Sequence, residues 1–113
     1  MSPVAIAVFA QERAEAGLPA MKCSKIIQFK ENEYAVRAIT DWTEGFATGF
    51  NLGFSSYQSF QYDLGHPSFS SDAIHPRILA VCYEKPDEFL AGVALELVVN
   101  LPTFSQDKAG GTK

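Results

Sequence analysis

The stretch GFATGFNLGF, residues 45–54, repeats a Gly-Phe pair at every fourth position. A four-residue step is close to one helical turn, so the glycines would form one stripe along a helix and the phenylalanines the next. The same stretch also has Phe, Thr or Leu at every even position, which is the period of a strand. Asp41 and Glu44, as N-cap and N3 residues ahead of Phe46, favour a helix that begins at Trp42.

On such a helix, aromatic side chains form a nearly continuous stripe beside the glycines: Trp42, Phe46, Phe50, Phe54 and Tyr57. Gly45, Gly49 and Gly53 each weaken a helix by about 1 kcal/mol relative to alanine. Close packing of another surface against the glycines would offset this loss. We favour an internal contact with a sheet. The alternative is a twin helix in a second chain, which makes residues 42–57 a candidate homodimer surface.

Upstream of this helix, residues 25–29 and 34–40 are two strand-like runs joined by four polar residues, which predicts a β-hairpin. A rival interpretation places residues 31–39 in the first turns of a helix. Residues 4–16 are rich in helix formers and are followed by a glycine and a proline, so they predict a short helix.

Downstream, residues 62–76 are rich in Pro, Gly, Ser and Asp and predict a loop. The loop carries His66 and His75, each followed by proline. Histidine titrates near neutrality and loops often carry function, so a metal site or a general base at these residues is an alternative, although no recognised metal-ligand spacing is present. We instead take the loop, with both histidines, as part of the candidate interaction surface. Residues 77–83 form an apolar run that predicts a central strand.

Residues 86–101 fit two structures. In a helix, Pro86 would occupy the first position, and Asn100 with Pro102 would end it. In a hairpin, the acidic KPDE would be the turn and residues 90–99 the return strand. We favour the helix.

Together, these elements predict an α+β fold with one domain. A small antiparallel sheet of about three strands would pack against two or three helices. The domain would span residues 21–104, with an N-terminal helical extension at 1–20 and a flexible C-terminal tail at 105–113.

Residues 77–104, which contain ILAVCYEKPDEFLAGVALELVVNLPTF, resemble the strand-turn-strand region of Gcn5-related N-acetyltransferases. PTF, residues 102–104, is similar to the Ser-Thr-Phe loop of the diamine acetyltransferase branch. That family binds acetyl-CoA with a glycine-rich loop at a helix start, whereas SQDKAGGTK shows no following helix. The resemblance therefore implies a truncated relative without a cofactor. Glu96 has no visible nucleophile, metal or cofactor to work with, so we assign no catalytic residue.

Cys23 and Cys82 each lie in an apolar strand pattern, where cysteine usually behaves as a small hydrophobic residue. We therefore expect two free, buried thiols rather than a disulfide. The opening SPVAIAVFA has no basic residue ahead of it, as a secretory signal would require, so the expected location is the cytoplasm.

The chain has 113 residues, of which 47% are apolar and 19% charged, a composition typical of globular proteins. The net charge of -4 argues against nucleic-acid binding through clustered basic residues. Residues 89–101 form the longest mostly apolar stretch and are shorter than the ~20 residues of a membrane span.

We therefore expect a small acidic soluble protein that binds another macromolecule, as an inhibitor, adaptor or assembly subunit. The alternative is a truncated or degenerate acyl-CoA N-acyltransferase-like protein. No metal and no cofactor is expected in either case. The candidate interaction surface comprises Trp42, Gly45, Phe46, Gly49, Phe50, Gly53, Phe54, Tyr57, His66 and His75.

Overall fold

The computed structural model describes residues 17–105. The elements within this range are α1 (Cys23–Gln28), α2 (Glu33–Ser55), β1 (Phe60–Tyr62), a 3-10 helix (Pro67–Phe69), α3 (Ser71–Glu84), α4 (Leu90–Val99) and β2 (Thr103–Ser105). The two strands pair antiparallel, with Gln61 opposite Phe104. Four helices and a small antiparallel sheet confirm the predicted α+β class.

The three segments predicted as strands are helical. Residues 25–29 fall largely in α1, residues 34–40 in the first half of α2, and residues 77–83 inside α3. Each run is too short to separate a strand from one side of a buried helix. The described part of the chain therefore has two strands rather than about three, and both lie outside the predicted ones.

Helix α2 begins well ahead of Trp42. Asn32 is its N-cap, and the Asn32 Oδ1 accepts a hydrogen bond of 3.0 Å from the Ala35 N–H. The rival helical interpretation of residues 31–39 is thus correct from Glu33 onward. Asp41 and Glu44 are interior helix residues and not a capping pair.

The favoured helix in residues 86–101 is confirmed, and the hairpin alternative is wrong. The helix begins at Leu90 rather than at Pro86, and Asn100 is its C-cap. Pro86 instead lies in the connection before the helix, where its carbonyl accepts a hydrogen bond from the Ser24 N–H at 3.0 Å.

All four helices contribute to the core. Its buried side chains include Ile26 of α1, Ile39 and Ala47 of α2, Ile74 and Ile78 of α3, and Leu90, Val93, Leu97 and Val98 of α4. Cys23 and Cys82 lie in this core and form a disulfide, with their Cα atoms 4.8 Å apart. The prediction of two free thiols is therefore wrong. The cysteines are 59 residues apart in sequence, and only the packing of α1 on α3 brings them together.

Residues 19–21 are hydrogen-bonded to the start of α4. The Pro19 carbonyl accepts a hydrogen bond from the Ala91 N–H at 3.0 Å, and the Met21 carbonyl accepts one from the Leu90 N–H at 2.9 Å. The folded region thus extends upstream of the predicted boundary. The helix predicted at 4–16, and the tail beyond Ser105, lie outside the described residues.

Candidate functional site

Aromatic rings form a continuous ladder along α2 and onto β1. The ladder consists of Trp42, Phe46, Phe50, Phe54, Phe60 and Tyr62. The four rings of α2 stack in order, with centroid separations of 5.2, 5.9 and 5.6 Å. All six side chains are partly exposed, so the ladder marks the boundary between core and solvent.

Asn51 holds strand β1 beside this ladder. The buried Asn51 side chain donates from Nδ2 to the Tyr62 carbonyl at 3.0 Å, and its Oδ1 accepts from the Tyr62 N–H at 2.8 Å. One side chain of α2 thus satisfies both backbone polar groups of a strand residue. Sequence reasoning missed Asn51, although a lone amide among glycines and aromatic residues in a helix was a usable signal.

The three glycines of α2 face solvent. Among the described residues, a Cβ atom at Gly45, Gly49 or Gly53 would meet no atom within 4 Å apart from the adjacent residues and the nearby backbone of α2 itself. The favoured prediction, that these glycines admit a sheet inside the chain, is therefore wrong. The sheet instead packs on the aromatic side of the helix, where Phe54 contacts Phe60 and Tyr62.

The surface around these glycines is uncharged. We call it the glycine face and define it by exposed residues of α2 and its C-cap: Gly45, Thr48, Gly49, Leu52, Gly53 and Ser56. No charged residue occurs anywhere in 45–62. Leu52 is 69% exposed, and Tyr57 is 87% exposed just beyond the helix.

The hydroxyl groups of the glycine face bond to the helix itself. Thr48 Oγ1 donates to the Glu44 carbonyl at 2.9 Å, and Ser56 Oγ donates to the Gly53 carbonyl at 2.6 Å. A surface whose polar groups already have partners loses little when it is covered.

The two histidines lie in different elements. His66 caps the 3-10 helix, with its Nδ1 accepting from the Ser68 N–H at 3.1 Å. His75 lies in α3 and is buried, so it is not an exposed contact residue as predicted. The predicted loop ends earlier than expected because α3 begins at Ser71. The His75 Nε2 is buried without a hydrogen-bond partner, and burial lowers the pKa of this imidazole.

The described residues offer no metal-binding cluster. Between residues 17 and 105, no group of three or more His, Cys, Asp or Glu side chains is placed to hold a metal ion. An open depression of about 520 Å³ at the N-terminal ends of α2 and α3 is lined by charges of both signs, including Lys30, Glu31, Arg37 and Asp41. It contains no histidine or cysteine.

Comparisons with protein-family models, with curated proteins and with solved structures find no match for this chain. The strand-turn-strand implied by the resemblance to N-acetyltransferases is not formed, because residues 77–83 and 90–99 are both helical. Among the described elements, no helix combines the length and apolar character that crossing a membrane requires. Fold and site thus define a small α+β domain whose longest described helix presents an open, uncharged face.

Proposed function

We propose that the protein acts by binding another protein through the glycine face of α2, as an inhibitor, adaptor or assembly subunit. One observation carries the proposal: at three glycines on successive turns of a 23-residue helix, a Cβ atom would meet nothing else in the described chain within 4 Å beyond the helix's own backbone and the adjacent residues. Each exposed helical glycine destabilises the chain by about 1 kcal/mol relative to alanine. Nothing in the described chain packs there to offset this loss, whereas a partner would.

The chemistry of the surface supports a protein partner. Without Cβ atoms at Gly45, Gly49 and Gly53, a second backbone can approach α2 closely, and the small side chains would become buried with it. Leu52 and Tyr57 would supply apolar contact area at the edge, which is a common role of tyrosine at interfaces. The absence of charges in residues 45–62 keeps the desolvation penalty small.

A second copy of the chain is the first partner to test. A helix face that is flat and uncharged can meet its own copy across a two-fold axis, because no like charges would then oppose each other. The net charge of -4 supports a protein partner over nucleic acid. Residues 42–57 would form the contact whether the partner is a second copy of the chain or a different protein.

Analytical sedimentation over a range of concentrations tests this assignment. Gly49→Leu places a large side chain at the centre of the glycine face. Ala38→Leu is the control, because it introduces the same side chain at an exposed site three turns earlier on α2. We expect a dimer that Gly49→Leu abolishes and Ala38→Leu preserves. A wild-type chain that stays monomeric excludes the second copy, and a dimer that both variants preserve contradicts the glycine face.

The disulfide is relevant to the cellular compartment in which the protein functions. Disulfides persist in oxidising compartments and are rare in the cytoplasm. We infer that the protein functions in an oxidising compartment. The cytoplasm expected from the sequence is the alternative, in which Cys23 and Cys82 would lie side by side as thiols.

A further inference from the structure

The disulfide joins the shortest α-helix of the described chain to the core. Helix α1 has six residues, and its buried side chains are Cys23 and Ile26. Ile27 is partly buried, whereas Lys25 and Gln28 are exposed, so the outer side of the helix is polar. A helix of this length is not stable in water by itself. Its position therefore depends on what attaches it to the core.

The other three helices pack on one another without α1. Contacts join α2 to α3, α3 to α4 and α2 to α4, whereas α1 packs mainly on α3. The core that these three helices share includes Ile39 of α2, Ile78 of α3 and Leu97 of α4. Movement of α1 away from α3 would leave these contacts in place.

Two kinds of attachment hold α1 to the rest of the fold. Two backbone hydrogen bonds lead to the connection before α4: the Cys23 N–H donates to the Glu88 carbonyl at 2.8 Å, and the Ser24 N–H donates to the Pro86 carbonyl at 3.0 Å. The covalent attachment is the disulfide to Cys82 of α3. Both cysteines are 0% exposed, so a reductant reaches the sulfur atoms only after the surrounding structure opens. Opening of α1 is the smallest such change, because the other helices keep their packing.

We propose that the Cys23–Cys82 disulfide is a redox-sensitive latch, and that its reduction releases α1 while the other three helices stay folded. The reductant is a dithiol. One of its thiolates attacks a sulfur atom of the disulfide to give a mixed disulfide, and its second thiol then displaces the protein cysteine. Two electrons and two protons pass to the cysteines, and the dithiol becomes a disulfide. Reoxidation restores the latch.

Amide hydrogen exchange, read residue by residue by NMR on the oxidised and the reduced protein, tests the latch. In the reduced protein, we expect the N–H groups of Cys23, Ser24 and Ile26 to exchange within about tenfold of the rate of an unstructured chain. Those of Ala47 in α2 and Leu97 in α4 should remain slowed at least about a thousandfold.

Two results of this experiment would overturn the proposal. If the α1 amides stay strongly slowed after reduction, the two thiols remain side by side and the disulfide is not what holds the helix. If Ala47 and Leu97 lose their protection as well, the disulfide supports the whole fold rather than one helix.

The rate of reduction by dithiothreitol under native conditions is a second test. Ile26→Ala removes the buried apolar side chain of α1, and Leu97→Ala is the matched control, because it shortens a buried side chain of α4. We expect Ile26→Ala to speed reduction several-fold and Leu97→Ala to change it less than about twofold, because opening of α1 alone exposes the sulfur atoms. Equal acceleration by both variants, or none by Ile26→Ala, would contradict the proposal.

Discussion

Asn51 and Tyr62 are joined by two hydrogen bonds: Asn51 Nδ2 donates to the Tyr62 carbonyl, and Asn51 Oδ1 accepts from the Tyr62 N–H. Because β1 pairs with β2, this contact fixes the whole sheet against the aromatic side of α2. The glycines on the other side of the helix are left open as a result. The position of the sheet and the exposure of the candidate site therefore have the same cause.

Asn51→Ala should lower the free energy of unfolding by about 1–3 kcal/mol, because it leaves the Tyr62 N–H without its side-chain acceptor and removes one of the two donors to the Tyr62 carbonyl, the other being the Leu64 N–H. Urea denaturation measures the change. Asn100→Ala is the control, since Asn100 is exposed and makes a single side-chain hydrogen bond, to the Glu96 carbonyl. A loss at Asn51 no larger than the loss at Asn100 would count against the anchoring role.

Stability should fall as the pH falls through 6.5, the ordinary pKa of histidine. Burial lowers the pKa of His75 in the folded state, so the unfolded chain binds more protons between that lowered pKa and 6.5. The loss should level off below the folded pKa, and His75 should contribute no pH dependence well above 6.5. Denaturation at a series of pH values measures the slope. His75→Leu should flatten it and His66→Gln should keep it; an unchanged slope in His75→Leu would refute the assignment.

Removal of the disulfide by a Cys23→Ser, Cys82→Ser double substitution should cost about 4 kcal/mol of stability, since the bond closes a 59-residue separation. The intact mass of the native protein, measured without reductant, should be two hydrogens below the fully reduced mass. If two thiols react in denaturant without any reductant, the cysteines are free instead.

Gly49→Ala should stabilise the isolated chain by up to about 1 kcal/mol, because the new methyl group enters open space and improves helix propensity. Thermal or urea unfolding measures the gain under conditions in which the protein is monomeric. Destabilisation of the monomer would mean that the glycine packs against another part of the chain.

Acetyl-CoA tests the resemblance to N-acetyltransferases. We expect no thermal stabilisation at sub-millimolar acetyl-CoA, because the segment that resembles the family forms two helices in place of its strands. Ligand present at about 100 times its dissociation constant would add about 2.7 kcal/mol. A clear upward shift in Tm would return the acyltransferase alternative to first place.

Sequence reasoning succeeded where local signals and tertiary structure agree. Asn100 and the following proline marked the end of α4, and the four-residue repeat gave the second half of α2. The sequence-based predictions of strands were wrong where a short apolar run lay between polar or proline residues. Residues 77–83 appear strand-like alone, and Pro76 marks a break, yet Ile74, Ile78 and Cys82 form one buried side of α3 that crosses this proline.

The site was found in part for a similar reason. The Gly-Phe repeat identified the helix and both of its stripes, because helical spacing is visible in sequence. Which stripe meets the sheet depends on the long-range contact between Asn51 and Tyr62, and no local pattern contains it. That Cys23 and Cys82 come together is hidden in the same way, because they are 59 residues apart in sequence.

The central claim, that the glycine face binds another protein, is tested most directly by affinity capture from the native host, quantified by mass spectrometry. Wild-type, Ala38→Leu and Gly49→Leu chains serve as matched baits, each first shown to be folded. We predict at least one protein, a second copy of the chain included, that the wild-type and Ala38→Leu baits retain and the Gly49→Leu bait loses. Identical capture profiles for all three baits would contradict the claim.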